Sequence, residues 1–127
     1  MSSDDEITII IVDCDKPSIL LLEEMIKILI TDYEILSTSS GKEAISLCHQ
    51  QRINLIFTEI RLKDMNGLEM IKKIKKEYPG IPIILQTATV MDNIEKKAKY
   101  AGCNGCLTKP IDLDALSSKI NDFLEIA

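Results

Sequence analysis

Four polar residues each close a short apolar run: Asp13 after ITIIIV, Glu59 after LIFT, Thr87 after IILQ and Lys109 after GCLT. Two carboxylates, a hydroxyl and an ammonium suit a phosphoryl group. Carboxylates hold a hard cation such as magnesium, cation and lysine neutralise phosphate oxygens, and the hydroxyl donates a hydrogen bond. Taken singly each has a plainer role, since a strand-end Asp commonly caps a turn and Thr is an ordinary strand residue. The set has meaning only if a scaffold brings four strand ends to one rim.

The apolar pattern supplies such a scaffold. Ile7 to Val12 is a β-branched run with no polar face, as expected of a strand covered on both sides. Pro17 suits a first helical turn, and Ile19, Leu22, Met25, Ile26 and Leu29 then recur at helical spacing to about Ile30. The alternation repeats with strands at 34–38, 55–58, 83–86 and 105–108 and helices at 41–51, 68–78, 92–101 and 113–126. Pro79 and Gly80 stop the third helix. Strands that alternate with helices cannot pair as hairpins. The connections are therefore right-handed crossovers and the class is α/β, a parallel sheet with helices on both faces. Ligands of such sheets bind outside the carboxyl ends of the strands.

Composition narrows the function classes. A chain of 127 residues, 46% hydrophobic and 28% charged, is one ordinary domain with a real core. Its expected extent is 7–127, preceded by a flexible acidic tail over 1–6. MSSDDE is acidic where a secretory signal would be basic, and no apolar run is long enough to cross a bilayer, so the expected location is cytoplasmic. Cys14, Cys48, Cys103 and Cys106 then read as reduced thiols. A net charge of -5 disfavours direct nucleic-acid binding.

IIIVDCDKPS, LIFTEIRLKDMNGLE, IPIILQTA and AGCNGCLTKP, in that order and spacing over about residues 7–126, resemble the successive motifs of the receiver domain of two-component response regulators. The resemblance implies a flavodoxin-like receiver fold, a five-stranded parallel sheet of order 2-1-3-4-5. It also implies a magnesium site of Asp13, the carboxylate of residue 59 and the backbone carbonyl of Arg61, with a strand-three acid that takes phosphate from a partner kinase's histidine. By position, Glu59 matches the phosphoacceptor, Thr87 the switch hydroxyl, Lys109 the paired lysine and Cys106 the switch aromatic. The Lys109–Pro110 peptide would be cis. Partners would be a histidine kinase or a downstream effector, with homodimer contacts through the fourth helix, fifth strand and fifth helix.

Three departures fall on working positions. Glu59 replaces the phosphorylated aspartate, Cys14 the second acid and Cys106 the aromatic. In-line transfer is sensitive to a displacement of about 1 Å, at a cost on the order of a hundredfold in rate, and the extra methylene of Glu moves the carboxylate by about that much. A thiol is also a soft ligand where magnesium wants oxygen, so magnesium binding should be weak. Asp15 could replace the lost acid, but before Lys16-Pro17 it fits better as a helix N-cap. The expectation is a pseudo-receiver, not an enzyme, that carries a fixed charge in phosphorelay signalling. The alternatives are a working phosphoacceptor, in which Glu59 mimics the charge of a phosphorylated relative, or a small phosphatase-like or flavin-binding enzyme. No glycine-rich phosphate loop supports the last.

Other candidates read more plainly. Cys103-x-x-Cys106 has dithiol or zinc spacing but leads into a strand, whereas redox pairs open helices, so a structural role is expected. His49, at the end of an amphipathic helix, reads as an ordinary exposed residue. The lysine runs at 72–76 and 96–99 read as solvated helix faces without stacking aromatics. Of Leu20, Leu21 and Leu22, one is expected to remain exposed. The fourth helix, with only Ile94, Ala98 and Ala101 as its stripe, should be weakly held.

Overall fold

The β-branched run forms the centre of the molecule. The computed structural model describes residues 6–88 and 92–124. In it β1 (Ile7–Val12) pairs in parallel with β2 (Tyr33–Thr38) on one side and β3 (Leu55–Thr58) on the other. Then follow β4 (Ile83–Thr87) and β5 (Gly105–Thr108), giving one five-stranded sheet of order 2-1-3-4-5, as expected. The helices between are α1 (Lys16–Leu29), α2 (Gly41–Gln50), α3 (Gly67–Glu77), α4 (Asp92–Ala101) and α5 (Leu113–Leu124).

Because side chains alternate along a strand, β1 feeds two cores. Ile9 and Ile11 pack with Leu22 and Ile26 of α1 and with Leu116 and Ile120 of α5. Ile10 and Val12 pack with Ala44 of α2 and with Met70, Ile71 and Ile74 of α3. Each fully buried side chain of this kind contributes about 2 kcal/mol through removal from water.

Helix ends are set by local chemistry. Asp15 N-caps α1, its carboxylate accepting from the Ser18 amide at 3.1 Å, and Pro17 sits in the first turn. Gly102, at φ +107°, takes the left-handed conformation that ends α4. Observed bounds differ from the expected ones by about one residue, and the expected end of α5 at Ile126 lies outside the described residues, as do residues 1–5 of the expected tail. Two leucines of α1 stay in solvent instead of one. Leu20 and Leu21 are 60% and 53% exposed, whereas Leu22 alone shares the buried line with Ile26. No helix among the described residues is long and apolar enough to cross a membrane.

Candidate functional site

The parallel register stacks four strand ends side by side. Val12 pairs with Thr58, Thr58 with Leu85 and Thr87 with Thr108, so the next residues of β1, β3 and β5 emerge on the same edge as Thr87. Asp13, Glu59, Thr87 and Lys109 line one open pocket of about 840 Å³. Backbone bonds fix the rim: Asp13 N donates to Thr38 O, Glu59 N to Val12 O and Lys109 N to Thr87 O. The Lys109–Pro110 peptide is cis.

Lys109 is the electrostatic hub. Its Nζ lies 2.8 Å from Asp13 Oδ2 and 3.3 Å from Glu59 Oε1, and donates to Ser18 Oγ at 3.3 Å. Burial works against the ammonium, but the hydrogen bond and charge of Asp13, then those of Glu59, outweigh it and raise its pKa above the ordinary lysine value. Asp13 is 2% exposed and also accepts from the Asp15 amide at 2.9 Å and from Gln86 Nε2 at 3.5 Å.

Glu59 does not reach outward. Its Oε2 accepts from the Ile60 amide at 2.6 Å while Oε1 faces Lys109, so the longer side chain curls onto the rim. The Arg61 carbonyl faces a thiol, with Cys14 Sγ at 3.6 Å from Arg61 O and 3.8 Å from Ser39 O. Asp15 is engaged as the α1 cap; its carboxyl is held below the usual range, chiefly by the Ser18 hydroxyl at 2.6 Å.

The loop between β3 and α3 is anchored at both ends. Gly67 N donates to Ile60 O at 2.6 Å, and a side chain at Gly67 would run into the Glu59 carbonyl. Asp64 accepts from Ser40 Oγ at 2.8 Å and from the Gly41 and Lys42 amides at 2.7 and 3.2 Å, taking the free donors at the start of α2. The Ser40 hydroxyl is the main cause of its lowered pKa, with the two amides behind it.

Sequence reasoning missed Gln86, Ser18 and Asp64. A glutamine closing the apolar run IILQ was the one available signal. Gln86 is 1% exposed, and its Oε1 has no hydrogen-bond partner among the described residues. Cys106 stands apart from the rim, beside Cys103 on another pocket. His49 is not merely solvated, since its Nδ1 lies 2.6 Å from Tyr78 Oη and 3.6 Å from Glu77. The absence of a stacking aromatic from the lysine runs also needs correction. Tyr100, the residue after Lys99, is 87% exposed at the end of α4, and Lys72 of α3 lies over its ring at 5.8 Å.

A family model for the response regulator receiver domain matches residues 9–121. The transcriptional regulatory protein GlrR of Escherichia coli (strain K12) is 33% identical over 95 residues, covering 73% of this chain. The chain spans only 21% of that relative's length. The polar-differentiation response regulator DivK of Brucella ovis is 30% identical over 119 residues, covering 92% of this chain and 95% of the relative. A crystal structure of a two-component response regulator from Clostridium difficile is similar with a TM-score of 0.85 at 28% identity, covering 94% of this chain and 97% of that one.

Proposed function

Because the chain belongs to the response regulator receiver domain family, we propose that it is a pseudo-receiver, a non-enzymatic signalling domain that acts through protein contacts without aspartyl phosphorylation. The observation that carries this reading is the double engagement of Lys109, at 2.8 Å from Asp13 and 3.3 Å from Glu59. The ammonium that would receive phosphate oxygens already holds two carboxylates. Glu59 thus occupies the phosphoacceptor position as a permanent charge.

The donor set fits magnesium poorly. Asp13 is spoken for by Lys109, the Cys14 thiol offers soft sulfur, and the Arg61 carbonyl faces that thiol. Among the described residues no group of three or more His, Cys, Asp or Glu can hold a metal ion. Attack by Glu59 on a phosphoryl group would require the attacking oxygen to leave its present partner, the Ile60 amide for Oε2 or Lys109 for Oε1.

For this largely buried carboxylate and ammonium the desolvation cost offsets much of the Coulomb gain, leaving a net of about 1 kcal/mol. That suffices to tilt a balanced two-state domain and is too little to lock one. The partners are a histidine kinase or a downstream effector, met in part on the face of α4, β5 and α5, which also serves homodimer contacts. The test is incubation with a small acyl-phosphate donor and magnesium. Intact mass should show no stoichiometric adduct; a hydroxylamine-labile phosphate on Glu59 would overturn the proposal.

A further inference from the structure

Cys103 and Cys106 flank the turn from α4 into β5. The left-handed Gly102 makes the turn, packed against the Lys75 side chain of α3. Leu107 points into the core beneath α1 and α5, so its strand neighbour Cys106 points to the opposite face, where Cys103 lies against the other core. Cys103 and Cys106 lie on one wall of the molecule. Both line an open pocket of about 330 Å³, flanked by Glu95 and Lys99 of α4 and by Lys119 of α5, whose side chain crosses Gly105. The spacing read as structural in sequence becomes a thiol pair with access to solvent and cations around it.

We propose that Cys103 and Cys106 form a dithiol–disulfide exchange site for small organic disulfides that carry carboxylates, with Cys103 as the attacking sulfur and Cys106 as the resolving one. The Cys103 thiolate attacks one sulfur of RS–SR, forming a mixed disulfide and releasing RS⁻. Cys106 then loses its proton to solvent and attacks Cys103 Sγ, expelling the second RS⁻. The protein dithiol is oxidised, the small disulfide is reduced to two thiols, and the two protons given up by the cysteines are taken up by the two RS⁻ groups. Lys99 and Lys119 are placed to meet the carboxylates of R.

The division of roles follows from what surrounds each sulfur. The Ile83 and Gly105 carbonyls, at 3.2 and 2.9 Å, accept from a protonated Cys103. Against them stand first the Cys106 S–H and then, opposed by burial, the Gly105 and Leu85 backbone and the Lys75 charge, and together these bring Cys103 down to about 7. Cys106 is pushed up, by its bond to Cys103, then by burial and by the charges of Cys103 and Glu95, with Lys119 opposing. Elsewhere Cys48 is buried, and its thiol is pushed up to about 11. Cys14 is exposed but has no second thiol beside it among the described residues.

The test is equilibration of the intact chain in mixtures of reduced and oxidised glutathione, read by intact mass and peptide mapping. The wild type should lose two hydrogens and yield a linked Cys103–Cys106 peptide, reversed by excess reduced glutathione. Cys106→Ser should instead accumulate a glutathione adduct on Cys103, and Cys103→Ser should leave Cys106 unmodified. At pH 7, Cys103 should alkylate at least about tenfold faster than Cys48 in the wild type, a readout that needs no variant to fold. Retention of both thiols under conditions that modify Cys14, or a disulfide joining any other pair, would overturn the proposal.

Discussion

Lys109 Nζ and Asp13 Oδ2 meet at 2.8 Å across 96 residues of chain, tying the end of β5, at one border of the sheet, to the end of β1. Asp13 is 2% exposed, so removing the lysine strands a buried charge. Lys109→Met should destabilise the fold by about 3 kcal/mol. Asp13→Asn combined with Lys109→Met should recover much of that loss, since no charge is then left unpaired. Urea unfolding of the two singles and the double measures the coupling; simple additivity would contradict it.

Gln86 invites the opposite outcome. Its Oε1 is buried without a partner among the described residues, and its Nε2 reaches Asp13 only at 3.5 Å. Gln86→Met keeps the length of the side chain and removes the orphan, so stability should rise by about 1 kcal/mol. A loss of similar size would mean that the amide matters more to Asp13 than its distance implies.

If the rim is inert because of two side chains, both must change. Glu59→Asp alone restores the shorter acid but leaves sulfur at position 14, and should take up little phosphate from an acyl-phosphate donor. Glu59→Asp with Cys14→Asp should gain magnesium affinity and phosphorylation together, by more than the product of the single effects. Magnesium titration by calorimetry and phosphate incorporation measure the two gains. Equal incorporation by the Glu59→Asp single variant and the double variant would place the block at Glu59 alone.

Gly67 lies so close to the Glu59 carbonyl that any side chain forces the loop to move. Gly67→Ala should cost about 1–3 kcal/mol by crowding. Gly80→Ala, at a position with open space around it, is the control and should be nearly neutral.

Acid and alkali should act on different parts of the rim. Asp15 and Asp64 have pKa values lowered by folding, so their contributions are present above the ordinary carboxylate range and fade as pH falls through the folded values. Lys109 has a raised pKa, so its contribution is complete below the ordinary lysine value and fades as pH rises through the folded one. Melting temperature against pH should show both limbs, with the alkaline limb reduced in Lys109→Met and the acid limb reduced in Asp64→Asn.

The scaffold was legible because it rests on periodicity. The unbroken apolar runs of β1, β3 and β4 and the helical stripes between them have few other uses. The convergence of Asp13, Glu59, Thr87 and Lys109 followed from topology. The direction of Glu59 did not, because the choice between extending outward and curling onto the Ile60 amide depends on contacts that a sequence does not rank. Asp64 was missed because its partners, at Ser40 to Lys42, are 22 to 24 residues away. The setting of Cys103 and Cys106 was hidden for a related reason: spacing gives a motif, but only the left-handed Gly102 and the face of β5 decide that both residues line one pocket.

The grip of Asp64 on the first amides of α2 ties two neighbouring loops together. A partner that moves the segment after Glu59 has to break those hydrogen bonds or carry the start of the second helix with it, which links the rim to the flank of the sheet beside its β2 border.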